Sequence, residues 1–479
     1  MNILSVLFAL LMFGVLIFIH ELGHFLVARA FGVKILEFSI GMGPKLFSKT
    51  SKKSGTAYSL RLFPIGGYVN MLGENGMEAV QGAQPEMKET PSSEEPIFLN
   101  NLNDEAQNNA ESTEKSEESK PIDPELAKQA YCNKSVWIRI LISLAGPVMN
   151  VVLGFLLMMV LVLSSGHGAV ATTQVAGFYV VYQGEEAYGD LQPDDYLYAL
   201  RQDGADDVRI RSIEQFREAV LESADGTVTF TVLRMNEEKT GTVEPLPVIT
   251  AQFDEEKLNR LFQSSLSAGT PEKPGLQAED VILKVNRTPV HTYAELSYEV
   301  MNQGYRPITF TVRRNGEKIV IPDVVVPTFV SDGVAFGDVD FVIYRERSFN
   351  FPTVVKHTFY RSLSTVKMVY DSLKGLLTRR YGFEAVSGPI GITKTISEVA
   401  QSGQKLNLLY LIIVITINLG IMNLLPLPAL DGGHLLLYLI EAIRRKPIKR
   451  EVEGIINFVG LIVILALAVV IAIKDIISL

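Results

Sequence analysis

The chain has 479 residues, 47% of them hydrophobic, with a net charge of −9 at pH 7 and a mean hydropathy of +0.21. That is too apolar for an ordinary soluble protein and too polar for a pure bundle of membrane helices, so membrane spans joined to soluble parts are expected. The charge is one local tract, with fourteen acidic residues against four lysines between 74 and 130; no basic face suggests nucleic acid, and the single Cys132 excludes an internal disulfide.

The first apolar stretch runs from Ile3 to about Phe31, enough for the roughly 20 residues that cross a bilayer. It has no basic leader and no small-residue cleavage site, so it reads as a retained span, not a signal peptide. Inside it, His20-Glu21-Leu22-Gly23-His24 forms an H-E-x-x-H pattern. Histidines four apart share one helical face and can reach one metal ion, and Glu21 can serve as general base on a water which that metal activates. His20, Glu21 and Arg29 interrupt the apolar run, where an ionisable group costs roughly 2.5–3.5 kcal/mol. At about 1.5 Å per residue, His20 lies about 25 Å along a helix begun at Ile3. A hydrocarbon core about 30 Å thick then holds the metal within the membrane, towards its cytoplasmic side.

Lysine and arginine follow the first span (Arg29, Lys34, Lys45, Lys49, Lys52, Lys53, Arg61), and Arg444, Arg445, Lys446, Lys449 and Arg450 separate the last two. By the positive-inside rule these loops are cytoplasmic and residues 164–405 lie outside. Lys374, Arg379 and Arg380 run against this, but long loops weigh little in the rule. In residues 32–73, Tyr58, Leu60 and Leu62 alternate with Ser59, Arg61 and Phe63 before Pro64-Ile-Gly-Gly67 turns the chain into Tyr68-Val-Asn-Met71. This predicts a β-hairpin dipping into the membrane, whose free edge, with Arg61 and Leu62, holds an extended substrate. Residues 74–134 are rich in Glu, Ser, Asn and Gln and predict a disordered cytoplasmic linker.

A second span occupies 135–165. The outer segment then repeats itself: Leu191-Gln-Pro-Asp-Asp-Tyr-Leu matches Leu276-Gln-Ala-Glu-Asp-Val-Ile, and Thr229-Phe-Thr-Val-Leu-Arg234 matches Thr309-Phe-Thr-Val-Arg-Arg314. A helical pattern separates the two motifs in each copy. The copies, taken as 170–236 and 237–330, resemble a tandem pair of PDZ domains, modules that bind an extended peptide at a sheet edge. An amphipathic helix over 350–378 is expected on the outer membrane surface. The third span (405–428) ends in an irregular, proline-rich stretch, and a short helix (431–443) and a fourth span (453–475) follow. Irregular backbone at membrane depth is tolerated where it is buried in protein or lines a wet cavity, so a third metal ligand is sought there. Asp431 and His434 both qualify by chemistry, and Asp431 also suits a helix N-cap.

Taken together, the chain resembles the site-2 protease family of intramembrane metalloproteases, in the bacterial branch with two PDZ domains. The likeness covers nearly the full length. It rests on His20–His24, on Asn423-x-x-Pro-x-Pro-x-Leu-Asp-Gly (423–432), on Ala145-Gly-Pro147-x-x-Asn150, and on the order of span, linker, span, PDZ pair, span, span. Gly388-Pro-Ile-Gly391 is similar to a further family motif. The resemblance implies a mainly α polytopic membrane protein with four transmembrane helices, a membrane-associated β-hairpin and two extracytoplasmic PDZ-like α+β domains. It implies a zinc ion held by His20, His24 and Asp431, Glu21 as base, and Asn423, Pro426 and Pro428 holding the substrate backbone. The implied substrates are single-pass transmembrane proteins in a bacterial cell membrane, of the anti-sigma-factor type, and remnant signal peptides.

Overall fold

The computed structural model describes residues 3–74, 124–166, 170–184, 186–193, 195–201, 207–210, 212–234, 247–269, 273–331, 334–380, 382 and 386–477. Most of the acidic linker expected over 74–134 lies outside these residues. The chain divides into two compact units, residues 1–150 with 422–469, and residues 151–421 with 470–479.

The first unit opens with helix α1 (Ile3–Ala30). Strands β1 (Ile35–Thr50) and β2 (Ala57–Met71) follow as an antiparallel pair with repeated register shifts. Phe38 lies opposite both Val69 and Tyr58, Ser39 opposite Tyr68 and Ser59, and Ile40 opposite Gly67 and Leu60, while 57–60 also face 47–50. Each strand therefore bends back on itself, and the layer runs 67–71, 35–40, 57–60, 47–50. The sequence reading had paired 58–63 with 68–71 across the Pro64–Gly67 turn; instead these segments flank 35–40 on opposite sides. Two features bring this about. Gly66 takes a φ of +89°, and Gly67 packs so tightly that a Cβ there would sit 2.8 Å from the Ser39 carbonyl oxygen. Phe38, Val69 and Met71 can then share one core with Phe25, Ala28 and Tyr131. Met42, Leu46, Phe47, Leu62 and Phe63 are left exposed.

Residues 124–134, assigned from sequence to the linker, are folded. A short helix α2 (Pro124–Lys128) and a 3-10 turn precede the second long helix α3 (Val136–Ser165). The Tyr131 N–H donates to the Leu72 carbonyl and the Lys34 N–H to the Gln129 carbonyl, and the ring of Tyr131 is buried. Tyr131 anchors the segment's end together with Ala130 and Leu126, which pack against Leu72.

In the second unit, two six-stranded sheets carry the repeat. The strands, in chain order, are β3 (Ala171–Phe178), β4 (Val180–Tyr182), β5 (Tyr196–Leu200), β6 (Val208–Arg209), β7 (Thr227–Leu233), β8 (Val248–Gln252), β9 (Phe262–Ser264), β10 (Val281–Val285), β11 (Thr288–Pro289), β12 (Ile308–Arg314), β13 (Glu317–Val324), β14 (Thr328–Ser331), β15 (Val334–Gly337) and β16 (Phe341–Arg345). One sheet is ordered β8-β7-β5-β4-β9 with β6 on β5, and the other β13-β12-β10-β3-β16 with β11 on β10. Helices α4 (Ile213–Glu222) and α5 (Glu255–Leu261) go with the first, and α6 (Tyr293–Met301) with the second. The boundaries expected at 170–236 and 237–330 need correction. Strand β3 belongs to the second body, where Val175 joins the core of Ile282, Phe310 and Phe341, and the first body is inserted after it and runs on to β9. Motif matching found the repeated strands but not the strand that closes the second sheet from upstream.

The repeat extends to its electrostatics. Arg234 donates through Nε and a terminal nitrogen to buried Asp195 at 2.9 and 2.7 Å, and Arg314 does the same to buried Asp280 at 2.8 Å for both bonds. Each aspartate also accepts the backbone N–H three residues before it, from Gln192 and Gln277. Fork-to-fork geometry of this kind satisfies a carboxylate that burial would otherwise penalise.

Helix α7 (Phe351–Leu377) occupies the stretch read as helical over 350–378, and α8 (Pro389–Gln401) was not expected. Its start accounts for Gly388-Pro-Ile-Gly391: the Gly388 and Gly391 N–H groups donate to Asp475 at 2.9 and 2.8 Å, and a Cβ on Gly388 would meet Ile471 at 2.7 Å. Helices α9 (Lys405–Asn423), α10 (Asp431–Arg444) and α11 (Arg450–Ile477) complete the chain. Among the described residues, four helices are long and apolar enough to cross a membrane, with spans at Val6–Ala30, Val136–Ser165, Lys405–Asn423 and Glu451–Ile477.

One buried acid in the second body titrates in an accessible range. Burial pushes the Asp340 carboxyl up to about 6, although the Ser267 N–H donates to it at 3.1 Å. A raised acid favours the fold while protonated, so its contribution is lost as pH climbs from about 4 through 6. Asp340→Asn is expected to match the parent near pH 4 and to exceed it by roughly 3 kcal/mol at pH 7, read by pulse proteolysis of the purified protein. A constant difference across that range counts against the assignment.

Candidate metal centre

The centre lies within the first unit and begins with a helical repeat. His20 and His24 are one turn apart on α1, so their rings project from one face, with centroids 4.9 Å apart. The His24 Nδ1–H donates to the Ile142 carbonyl at 2.7 Å, which turns Nε2 inward. The two Nε2 atoms are 3.2 Å apart. Asp431 completes the group: its Oδ2 is 3.0 Å from His20 Nε2 and 3.6 Å from His24 Nε2. One ligand atom from each of the three residues falls within 4.8 Å of the others.

Glycines set how closely the backbone can approach. A Cβ on Gly23 would lie 2.4 Å from the Ala145 carbonyl oxygen, so α1 and α3 cross nearly in backbone contact. At Gly146 a Cβ would lie 2.3 Å from His24 Nε2 and 2.7 Å from His20 Nε2. Gly146 thus keeps open the space between the two nitrogens. Residues 424–430 carry the chain from α9 into α10, and Gly432 and Gly433 allow the turn, since a Cβ on them would lie 2.1 Å and 2.4 Å from the carbonyls of Leu425 and Leu427. Asp431 is the first residue of α10 and Leu430 its N-cap, so the carboxylate is free of the capping role considered from sequence.

Asn150, fully buried on α3, tests whether the site suits a metal. Its Nδ2 lies 3.3 Å from His20 Nδ1 while its Oδ1 has no partner. Turning the amide over gives Oδ1 the Nδ1–H of His20 and leaves the Nε2 lone pair facing Asp431. This is the arrangement in which an amide or carbonyl fixes the tautomer of a metal-bound histidine. Two imidazole nitrogens and a carboxylate oxygen converging on one point can share one cation, which would offset the burial of the carboxylate. The donor set of two imidazoles and one carboxylate suits zinc with an open fourth position.

A cavity of about 620 Å³ opens on this point. Glu21, His20, His24 and Asp431 line it, and so do Tyr68, Val69 and Met71 from the outermost segment of the β layer. Gly67, beside them, would bring a Cβ to 3.4 Å from the Glu21 side chain. Among the described residues, no further strand pairs with 67–71 on its outer side. The structure therefore brings Glu21 and the three prospective ligands to one cavity. Asn423, Pro426 and Pro428 sit on the segment leading to Asp431 and are not among its lining residues, and neither are Arg61 and Leu62. Arg61 is engaged elsewhere, with the Ser39 hydroxyl, the Gly43 carbonyl, Glu37 and the Tyr68 hydroxyl. His434, the rival ligand, lines the cavity, but its nitrogens face Glu453 and Asn457 at 3.2 and 3.5 Å.

Sequence reasoning missed what Gly146, Asn150 and residues 68–71 do. For the first two the signal was present in Ala145-Gly-Pro147-x-x-Asn150, a polar residue inside an apolar span. For the edge it was absent, because strand order is not written in alternation.

The profile of peptidase family M50 matches residues 8–467. The chain is similar to the zinc metalloprotease RasP of Oceanobacillus iheyensis, with 30% identity over 98% of this chain and 97% of that one. It is also similar to the regulator of sigma-W protease RasP of Bacillus subtilis, with 29% identity over 98% of each chain, and to the zinc metalloprotease RasP of Geobacillus kaustophilus, with 27% identity over 98% and 97%.

Gly146→Ala is expected to displace both histidine rings and lower metal affinity by roughly a hundredfold, a loss comparable to removing the supporting shell of a metal site. Elemental analysis of the purified variant after dialysis against a chelator reads this directly. Full metal content would mean that the helices yield where the geometry says they cannot.

Proposed function

The chain belongs to peptidase family M50, and from that premise we propose that it is an intramembrane zinc metalloendopeptidase which cuts transmembrane segments of other proteins. The observation that carries this reading is the convergence of His20, His24 and Asp431 beside Glu21, on a helix whose surroundings are those of a membrane span. His20, His24 and Asp431 would hold the zinc. When bound, it supplies a Lewis acid that polarises the scissile carbonyl and acidifies a water. Glu21 takes the proton from that water and returns one to the departing amine. Asn150 and the Ile142 carbonyl keep the imidazoles in the ligating tautomer.

A transmembrane helix hides its carbonyls in its own hydrogen bonds, so a substrate must unwind before cleavage, and unwound backbone in lipid needs new partners. The edge at 67–71 offers them, as an added strand lying along the cavity wall. Arg61 supports that edge through the Tyr68 hydroxyl, and Leu62, exposed on the layer, meets substrate or lipid. Asn423, Pro426 and Pro428 help hold the substrate backbone, as the family resemblance implies; Pro426 is exposed.

The basic loops favour a multi-pass protein of the bacterial cell membrane, with the acidic linker in the cytoplasm and the two sheet-bearing bodies outside. Those bodies, as PDZ-like domains, would take an extended peptide or restrict access by size. Substrates are single-pass membrane proteins of the anti-sigma-factor type and remnant signal peptides, in regulated intramembrane proteolysis; the Bacillus subtilis relative named for sigma-W regulation supports this choice.

Glu21→Gln is expected to retain zinc and to lose roughly a hundredfold to ten-thousandfold in turnover of a transmembrane peptide; undiminished turnover would overturn the reading. The edge is tested separately. Alternate backbone N–H groups on an edge strand point away from the sheet, so one of Tyr68→Pro and Val69→Pro leaves the sheet's own bonds intact. That variant should cleave slowly with normal zinc content, and normal cleavage by both rejects strand addition.

A further inference from the structure

The fourth membrane helix is apolar over most of its length, yet it carries Asn457 within the span. A polar side chain at that depth calls for a partner. Asn457 has two, both on the segment that delivers Asp431. Its Oδ1 accepts the Ala429 N–H at 3.3 Å, and its Nδ2 lies 3.5 Å from His434 Nε2. His434 Nδ1 is in turn 3.2 Å from Glu453. The directions agree throughout: with Nδ1–H donated to Glu453, Nε2 is left to accept from the Asn457 amide, whose oxygen is then turned towards Ala429.

Ala429 has a φ of +67°, a left-handed conformation that a residue with a Cβ adopts only under constraint. It stands two residues before Asp431, so the direction in which the chain enters α10 depends on it. Gly460 adds an independent restraint one turn along α11, where a Cβ would lie 2.3 Å from Pro428 Cβ. Glu453, Asn457 and Gly460 share one face of α11 at helical spacing, and each meets one part of the 428–434 segment. His434, Glu453, Gly454 and Asn457 line the same cavity as Asp431.

We infer that Asn457 is a positioning residue of the metal centre: its amide holds the left-handed turn at Ala429, and through that turn it aims the Asp431 carboxylate at the two histidines. His434 and Glu453 orient the amide. The inference rests on Asp431 being a metal ligand, and Asp431→Ala measured alongside separates the two ideas. If that variant binds zinc as tightly as the parent, the ligand set is wrong, whatever Asn457 does.

The test measures zinc dissociation from the purified full-length protein in detergent, against chelators of graded affinity, together with kcat and KM on a transmembrane peptide. Asn457→Leu is expected to weaken zinc binding roughly tenfold to a hundredfold, the range typical of lost support to a ligand, and to lower kcat with KM little changed. Asn457→Asp keeps an oxygen for the Ala429 N–H and is expected to recover most of that loss. Should Asn457→Leu fail to accumulate, Gly460→Ala reaches the same segment through Pro428 and is expected to weaken zinc in the same direction. Parental zinc affinity in Asn457→Leu or in Gly460→Ala overturns the inference. So does an equal loss in the Leu and Asp variants, which would mark Asn457 as a packing residue only.

Discussion

Two imidazole nitrogens and a carboxylate oxygen are held within 3.0 to 3.6 Å of one another, and the rest of the first unit is arranged to make that possible. Like groups of this kind do not gather unaided. Desolvation disfavours the carboxylate and lone pairs turned towards one another repel, so a shared cation would relieve the cluster, and on the proposed reading the protein holds these groups ready for it. The means are steric as much as polar. Gly23 lets α3 approach α1 to backbone contact, Gly146 leaves room for the rings, and Gly432 and Gly433 permit the turn that brings Asp431 in from the far end of the chain.

The β layer shows a second use of close approach. Because residues 67–71 pair with 35–40 and not with 58–63, the segment that borders the cavity is also one of the layer's two outer segments. An ion-pair cluster of partly buried Glu37 and Arg61 with exposed Lys45 ties the layer's segments together, while exposed Met42, Phe47 and Phe63 give it an apolar outer surface. A sheet edge is ordinarily a liability that proteins cover or charge. An uncovered edge beside Glu21 is suited to receive a chain.

In the second unit, the same ion pair occurs twice, Asp195 with Arg234 and Asp280 with Arg314. Its recurrence at matching positions of the two sheets ties the internal repeat to a shared local structure. The two copies are nevertheless not laid end to end. One takes its third sheet neighbour, β3, from upstream of the other, so removing residues 180–264 would leave the second body's strands still able to meet.

The four spans, the metal-binding pattern in the first, the amphipathic helix over 350–378 and the matched motifs of the repeat could all be read from residue order. Each is a property of local periodicity, hydropathy or spacing along one helix. Asp431 was legible as a candidate; chemistry alone did not separate it from His434, the family resemblance favoured it, and in the structure both nitrogens of the His434 ring face Glu453 and Asn457. Tertiary structure alone decided the order of the β layer, the upstream origin of β3, the folding of residues 124–134, the parts taken by Gly146 and Asn150, and the grip of Asn457 on the turn at Ala429. The physical reason is common to all of them. These features depend on which surfaces come within a few ångströms of each other across long separations in sequence, and a pattern read along one segment holds no record of its neighbour.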